Sequence, residues 1–291
     1  MTEVVFYTWN GKNCLKFFHS VDYVSPEKQA EYAMHAHTEC ELYLLVRGPR
    51  MTYVVEDSEY GIRPGDMILT RAGEIHRALF REAGEYECYY LKIENDCFAG
   101  LSPRMQNPLH CFLDRAIGER NLLRPDAAQQ GQIIGLFCSV FAEKNFPKDT
   151  SRLLCFSYTL QMLALVNHGF DHAGSSAPAA PLSPLMRDII CYVNDNLRSI
   201  QTVEQVAKAF FISPSYFSRL FCKSMKLSFI KYLRAKKLSL AKNCLIRGGT
   251  VTDACFESGF QDYSYFISIF HRETGMTPLQ YQKKAQSGWK E

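Results

Sequence analysis

The sequence predicts an α+β protein with a β-rich N-terminal domain, packed helices, and an all-α C-terminal domain. Three observations carry this prediction. Residues 1–95 hold short stretches of alternating apolar and polar residues, such as 41–46 and 51–55, which indicate strands of a sandwich or small barrel. Between 108 and 168 the apolar residues follow a helical period instead. The C-terminal end of the chain contains an internal repeat of helical segments.

Turn residues and composition place the boundaries between these parts. Glycine and proline at Gly48-Pro49, Gly61, Pro64-Gly65 and Gly73 separate the predicted strands. Residues 171–183 are mostly small and contain almost nothing that could form a core, which is typical of a linker. The predicted organisation is therefore a β domain over 1–100, a helical region over 101–170, a flexible linker over 171–183 and an all-α domain over 184–287.

The repeat defines the architecture of the C-terminal domain. The segment Ser215-Tyr216-Phe217-Ser218-Arg219-Leu220-Phe221 returns 49 positions later as Ser264-Tyr265-Phe266-Ile267-Ser268-Ile269-Phe270. A short helical pattern precedes each copy, so each copy predicts a helix, a tight turn and a second helix. The pattern predicts seven helices, over 184–197, 202–210, 214–225, 228–247, 251–258, 263–274 and 277–286. The fourth would be about 30 Å long and could place two recognition helices in adjacent major grooves, about 34 Å apart.

Charge and cysteine usage limit the classes of protein. Residues 183–291 carry 16 Lys and Arg against 8 Asp and Glu, a net charge of +8, whereas residues 1–182 carry −5. This asymmetry indicates that the C-terminal half contacts a polyanion such as DNA. The eleven cysteines form no CxxC pair and favour a reducing cytoplasm, with Cys155, Cys191, Cys222, Cys244 and Cys255 expected to be small buried apolar side chains of helices. The sequence contains no run of eighteen apolar residues, so it predicts neither a signal peptide nor a membrane span.

The C-terminal motifs resemble those of the AraC/XylS family of bacterial transcription regulators. The matching stretches are Ile212 to Phe221, Gly259-Phe260, Tyr265-Phe266 and Thr274-Gly275-Met276-Thr277-Pro278, and the resemblance covers about 185–287. Three positions depart from the family pattern, since Lys226 replaces a glycine, Lys237 replaces an arginine, and Ser268 stands where many members have a basic residue. The resemblance implies a DNA-binding domain of two helix-turn-helix units.

Carried over to this sequence, the resemblance identifies candidate DNA-contacting residues in both units. Arg219 is the strongest candidate for base recognition, because an arginine can donate two hydrogen bonds to a guanine edge. Lys223, one turn further along, is expected to contact a phosphate. The full candidate set is Ser213, Ser215, Tyr216, Ser218, Arg219 and Lys223 in the first unit, and Gln261, Tyr263, Ser264, Ser268, His271 and Arg272 in the second.

The N-terminal domain contains a second pattern, His35-x-His37-x3-Glu41-x6-Gly48 followed by Gly65-x5-Arg71-x-Gly73-x2-His76. It resembles the two motifs of the cupin β-barrel, with Arg71 in place of the usual proline. Strand alternation directs residues 35, 37 and 41 to one face. The set His35, His37, Glu41 and His76 could line the pocket of an organic ligand, hold a divalent metal such as zinc or nickel, or be purely structural. All three interpretations stay open at this point.

The sequence predicts a cytoplasmic, ligand-responsive transcription regulator rather than an enzyme. A cupin-like sensor would bind a small-molecule effector such as a sugar, and helices 101–170 would mediate homodimerisation. The DNA-binding domain would act at a promoter together with RNA polymerase, as an activator more often than as a repressor in similar proteins. One alternative is a metal-dependent cupin enzyme fused to a DNA-binding domain. A further alternative is a nucleoid-type DNA binder that needs no ligand.

Overall fold

The structure is a computed structural model that describes residues 2–9, 12–32, 34–56, 58–98, 101, 106–143, 148–173, 183–225, 227–246 and 248–286. Contacts between Cα atoms divide the chain into two compact units, Met1–Met34 with Glu39–Pro181, and Leu182–Glu291 with His35–Thr38. Most of the predicted linker, residues 174–182, and also Lys226 lie outside the described residues. The predicted linker and the domain boundaries drawn from it stay predictions.

A six-stranded antiparallel sheet forms the centre of the first unit. Its strands lie in the order β1 (Thr2–Trp9), β2 (Lys12–Val24), β8 (Gly84–Ile93), β3 (Cys40–Arg47), β6 (Met67–Thr70) and β9 (Leu122–Leu123). The longest pairing joins β2 to β8, from Leu15 opposite Ile93 to Val24 opposite Gly84. These strands are rich in aromatic and β-branched residues, which favour a pleated surface that is covered on its faces.

A second sheet has three strands in the order β5 (Ser58–Ile62), β4 (Met51–Val55) and β7 (His76–Phe80). A 3-10 helix, Pro26–Tyr32, connects β2 to β3. The prediction of a β-rich N-terminal domain is confirmed, but the closed barrel is not found. Among the described residues the strands form two separate sheets, because β1 and β9 end one sheet while β5 and β7 end the other.

Strand alternation gives the six-stranded sheet two different faces. Tyr43 and Leu45 of β3 belong to an apolar cluster with residues of the three-stranded sheet, such as Tyr53 and Val55. Leu42 and Leu44 belong to a second cluster on the other face. That face is covered by the helices α1 (His110–Leu113), α2 (Ala127–Ala142) and α3 (Lys148–His172). The helices predicted between 108 and 168 are therefore present and pack on the β domain.

The helix α3 is long and apolar enough over Asp149–His172 to cross a membrane, by length and composition alone. The core helix of a soluble protein passes the same test. Cys155, Met162, Leu163 and Val166 of α3 are buried in the apolar cluster that joins the helices to the sheet. The helix α3 therefore packs one of its faces into the core of the first unit.

The described residues of the second unit form seven helices, all of which the sequence predicts with ends within two residues. They are α4 (Pro184–Asp195), α5 (Val203–Ala209), α6 (Pro214–Met225), α7 (Phe229–Ile246), α8 (Val251–Glu257), α9 (Tyr263–Thr274) and α10 (Pro278–Gln286). Thr202 with Gln205 and Thr250 with Asp253 form complete capping boxes at the starts of α5 and α8. The two helix-turn-helix units thus begin with the same local device.

The expectation that helical cysteines are buried holds for only part of the set. Cys155 and Cys255 are buried, but Cys191 and Cys222 are exposed and Cys244 is half-buried. Cys222 lies on the same exposed side of α6 as Lys223, while Phe221 and Met225 of that helix are buried. Apolar neighbours in the sequence therefore do not reveal on which side of an amphipathic helix a cysteine lies.

Candidate DNA-binding interface and sensor site

The first candidate recognition helix is α6, which is amphipathic. Phe217, Phe221 and Met225 are buried against the rest of the second unit. At its start, the Ser213 hydroxyl accepts a hydrogen bond from the Tyr216 amide at 3.2 Å, so this predicted DNA contact also caps the helix. The predicted contact residues of this unit are all exposed, namely Ser213, Ser215, Tyr216, Ser218, Arg219 and Lys223.

The second candidate recognition helix, α9, repeats this arrangement with a different surface. Asp262 caps it by accepting a hydrogen bond from the Tyr265 amide at 2.8 Å, and Phe266, Ile269 and Phe270 are buried. Its predicted contact residues are also exposed, namely Gln261, Tyr263, Ser264, Ser268, His271 and Arg272. Their exposure is compatible with DNA contact, but the individual contacts in both units stay predictions.

The charges differ between the two recognition helices. Arg219 and Lys223 on α6 have no acidic residue in the same helix. On α9, Arg272 Nη2 lies 3.1 Å from Oε1 of Glu273, and the cap Asp262 adds a second carboxylate near the start. Because phosphates attract an unpaired cation more strongly than a paired one, we expect α6 to present the more favourable surface to DNA.

A polar cluster occupies the face of the six-stranded sheet that is directed toward the three-stranded sheet. At its centre is Glu41 of β3, a buried carboxylate. Its Oε2 lies 3.2 Å from Lys92 Nζ, its Oε1 lies 3.7 Å from His76 Nε2, and Tyr53 donates a hydrogen bond to Oε1 at 3.4 Å. We call Glu41, Tyr53, His76 and Lys92 the sensor cluster.

The electrostatics of the sensor cluster keep its donors and its acceptor distinct. Burial, together with the neighbouring charge of Glu41, raises the pKa of Tyr53 well above its ordinary value. Tyr53 therefore remains a protonated donor at neutral pH. Lys92 opposite a buried carboxylate supplies the countercharge that such a carboxylate requires.

Two aromatic rings lie beside the charged part of this cluster. Phe18 of β2 and Tyr90 of β8 are stacked with centroids 4.3 Å apart and planes inclined by 8°. Lys92 Nζ is 6.0 Å from the Phe18 centroid and 5.8 Å from the Tyr90 centroid. The arrangement combines hydrogen-bonding groups with an aromatic surface, as small-molecule sites do.

Glu41 and His76 were predicted from the sequence, but Lys92, Tyr53 and the stacked aromatic rings were not. Strand alternation was the available signal, because Tyr86, Cys88, Tyr90 and Lys92 share one face of β8. That signal does not show which strand is the neighbour. The pairing of Glu41 with Lys92 follows from the register of β3 against β8.

The predicted histidines are also brought together. One ring nitrogen of each of His35, His37 and His76 lies within 4.8 Å of the others. His76 is buried, and its Nδ1 is 2.9 Å from the backbone oxygen of Glu74. Imidazole nitrogens suit zinc and nickel, so the donor set fits such a metal by ligand type. Glu41, the fourth predicted ligand, lies outside this group of three, although its Oε1 is 3.7 Å from Nε2 of His76 and its Oε2 is 3.2 Å from Nζ of Lys92.

The geometry defines a class of protein: a small-molecule sensor domain and a double helix-turn-helix DNA-binding domain in one chain. Comparisons with known families agree with this class. The family described as AraC-like ligand binding domain matches residues 23–138, and the helix-turn-helix domain family matches residues 206–284. The chain belongs to the AraC/XylS family of transcription regulators.

Similar proteins include regulators that match over most of the chain. The HTH-type transcriptional activator RhaR of Yersinia pestis is 26% identical over 274 residues, which cover 88% of this chain and 86% of RhaR. The HTH-type transcriptional regulator YijO of Escherichia coli is 31% identical over 177 residues, which cover 58% of this chain and 59% of YijO. Among solved structures, ToxT of Vibrio cholerae bound to an unsaturated fatty acid matches with 15% identity and a TM-score of 0.41, over 91% of this chain and 94% of ToxT.

Proposed function

We propose that this regulator is a cytoplasmic, effector-responsive transcription activator, in which the sensor cluster binds a small molecule and thereby changes promoter binding by α6 and α9. The observation that carries the proposal is the buried Glu41 carboxylate with Lys92, His76 and Tyr53 around it. In a purely structural sheet interior, apolar residues of similar volume at these positions would often be equally or more stable. The activator RhaR is a relative over most of the chain, which supports activation.

The chemistry of the sensor cluster favours an uncharged polyhydroxylated effector such as a sugar. Glu41 can accept hydrogen bonds from hydroxyl groups, and Lys92 and Tyr53 can donate them. The carboxylate and the ammonium balance each other, so the cluster offers no net charge to an ionic ligand. The stacked Phe18 and Tyr90 rings supply an apolar surface for the C–H face of a sugar ring.

The alternative is a divalent metal on the three histidines, either as the sensed species or in a metal-dependent cupin enzyme. His35, His37 and His76 would supply nitrogen ligands for zinc or nickel. Metal analysis of the purified protein decides this point. Stoichiometric zinc or nickel that a chelator removes, together with loss of the effector response, would favour the metal.

Two protein partners complete the proposal, a second copy of the chain and RNA polymerase. The helical region is the proposed dimer contact, as the resemblance to similar regulators implies, and Leu153 on α3, which is 64% exposed, lies in this region. RNA polymerase is the partner that activation requires. Analytical ultracentrifugation of the wild type and a Leu153→Glu variant tests the dimer, which the added charge should weaken.

The experiment that tests the sensor uses the full-length chain with a panel of sugars and sugar acids. Thermal shift identifies a ligand, and DNA binding is then measured with and without it. Lys92→Met and Glu41→Gln should abolish the response to the ligand while leaving DNA affinity without ligand nearly unchanged. Lys28→Met is the matched control, since Lys28 is an exposed lysine of the same domain whose amine donates to the backbone oxygen of Tyr23 and which does not belong to the sensor cluster. A normal ligand response in folded Lys92→Met protein would refute the assignment.

A further inference from the structure

A lysine is buried at the centre of the second unit. Lys237 of α7 is only 3% exposed. Its Nζ donates hydrogen bonds to the backbone oxygens of Ile200 at 2.7 Å and Gly259 at 2.8 Å. A third hydrogen bond goes to Oε1 of Gln201 at 3.0 Å. An ammonium group has three donors, so these three acceptors use all of them.

The acceptors lie in two different parts of the second unit. Ile200 and Gln201 lie between α4 and α5, immediately before the first unit. Gly259 lies in the turn between α8 and α9, within the second unit. Gln201 also donates from Nε2 to the Gly259 oxygen at 2.9 Å. Lys237, on the helix that connects the two helix-turn-helix units, therefore bonds the segment that leads into the first unit and the turn of the second unit at once.

The two backbone segments meet at a distance that no side chain would allow. A Cβ atom added to Gly259 would lie 2.5 Å from the backbone oxygen of Arg198, and Gly259 has a φ of +88°. Glycine is thus required here both for space and for backbone conformation. The backbones at Gly259 and Arg198 therefore pack closely in one arrangement, and the hydrogen bonds of Lys237 stabilise this arrangement from the side of α7.

The energetics explain why this contact resists alternative arrangements. A buried ammonium is costly unless it is fully hydrogen-bonded. Burial lowers the pKa of Lys237 to about 8. Any rotation of one unit relative to the other removes at least one acceptor from the amine, so the cost of burial penalises every other relative orientation.

We propose that Lys237 is a positioning residue that fixes the orientation of α6 relative to α9, and that simultaneous binding of both helices to one DNA duplex depends on it. Lys237 is buried and contacts no nucleotide in this role. When two binding modules are joined, the second binds as if at a high effective concentration, but only if the geometry permits simultaneous contact. Loss of the fixed orientation should therefore reduce the benefit of the second half-site rather than the binding of the first.

The adjacent lysine provides a matched control. Lys236 is also 3% exposed and lies on the same helix. Its Nζ donates to Oδ1 of Asn194 in α4 at 2.8 Å, on the side of the first unit. Lys236→Met removes an equally buried amine, but it leaves the contacts of Lys237 to Gly259 in place.

The test compares a full DNA site with a half-site in the full-length protein. A full site is selected from random DNA with the wild type, and the half-site keeps only the part protected by α6. The measured quantity is the ratio of the two dissociation constants, half-site over full site. Lys237→Met should lower this ratio about tenfold or more and change half-site affinity less than threefold. Lys236→Met should leave the ratio unchanged, and Lys237→Arg, which keeps the donors, should preserve most of it.

Circular dichroism and half-site binding establish that each variant is folded. If Lys237→Met does not fold, the same measurement is made on Lys237→Gln, which keeps a donor but not the charge and should also lower the ratio. An unchanged ratio in a folded Lys237→Met or Lys237→Gln protein overturns the proposal. A wild type that binds the full site no more tightly than the half-site also overturns it.

Discussion

Replacement of Phe211 by glycine should stabilise the first helix-turn-helix unit. Phe211 lies in the turn between α5 and α6, has a φ of +55° and is 97% exposed. The second unit has glycine at the corresponding place. The amide after Phe211, that of Ile212, bonds the oxygen of Ala207 five residues earlier at 3.0 Å, and the amide after Gly259 bonds five residues back in the same way at 3.1 Å.

The size of this stabilisation follows from the backbone conformation alone. A side chain with a Cβ in the left-handed region costs about 1–2 kcal/mol, whereas glycine loses about 0.5–1 kcal/mol more conformational freedom on folding. The exposed phenyl ring contributes almost no buried area, so its removal costs little. The net gain should be about 0.5–1 kcal/mol in the free energy of opening this turn, which at the upper value corresponds to roughly fivefold slower hydrogen exchange.

Hydrogen–deuterium exchange of the peptides that cover α5 and α6 measures this change in the full-length protein. Phe211→Ala is the control, because it removes the ring but keeps a Cβ in the left-handed region and should leave exchange nearly unchanged. Peptides from α8 and α9 should exchange as in the wild type. The reasoning is refuted if Phe211→Gly and Phe211→Ala protect the first unit equally.

The remaining predictions concern base recognition and pH. Arg219→Ala should cost about 1–3 kcal/mol of binding free energy on the specific site and reduce the sequence preference at one or two base pairs. Lys223→Ala should weaken binding to all sequences alike and reduce the salt dependence of binding. Equal losses of affinity for Arg219→Ala on specific and random DNA would contradict base recognition. Burial lowers the pKa of His110, but Asp171 Oδ1 at 2.8 Å and Asp114 Oδ2 at 2.5 Å outweigh it and raise the net pKa. The stability from protonated His110 is complete below its unfolded pKa of about 6.5 and is lost as pH rises through the higher folded pKa, so the difference in melting temperature between wild type and His110→Gln should shrink from pH 6 to pH 9. A difference that is constant with pH would exclude this ion pair as its source.

The helices of the second unit could be predicted from the sequence because their signals are local. Thr202 and Thr250 mark helix starts through bonds to residues only three positions away. The sheets could not be predicted to the same depth, because closure depends on which strands become edges. β1 and β9 are the edge strands of the six-stranded sheet among the described residues, but their own sequences do not reveal this.

The sensor illustrates the same limit at the level of single residues. His35, His37, Glu41 and His76 were predicted as one set. The structure groups the three histidines, and Glu41 lies beside His76 but has Lys92 as its nearest charged partner. Lys92 is 51 positions away in the sequence, and only the register of β3 against β8 brings the two together. Spacing identifies which residue types share a strand face, but the partner across the sheet depends on long-range pairing.

The sensor cluster is separated from the helices α2 and α3 only by the six-stranded sheet, which is a single layer of backbone. Along β3, Glu41 belongs to one side and Leu42 to the other, and along β8 Lys92 alternates with Leu91 in the same way. Neighbouring residues on opposite sides share a peptide bond, so a strand cannot shift on one side alone. Substitutions that adapt the sensor face of the sheet to a new effector must also be tolerated by the packing of the helices on the other face. We therefore expect the sequences of the two faces to diverge together.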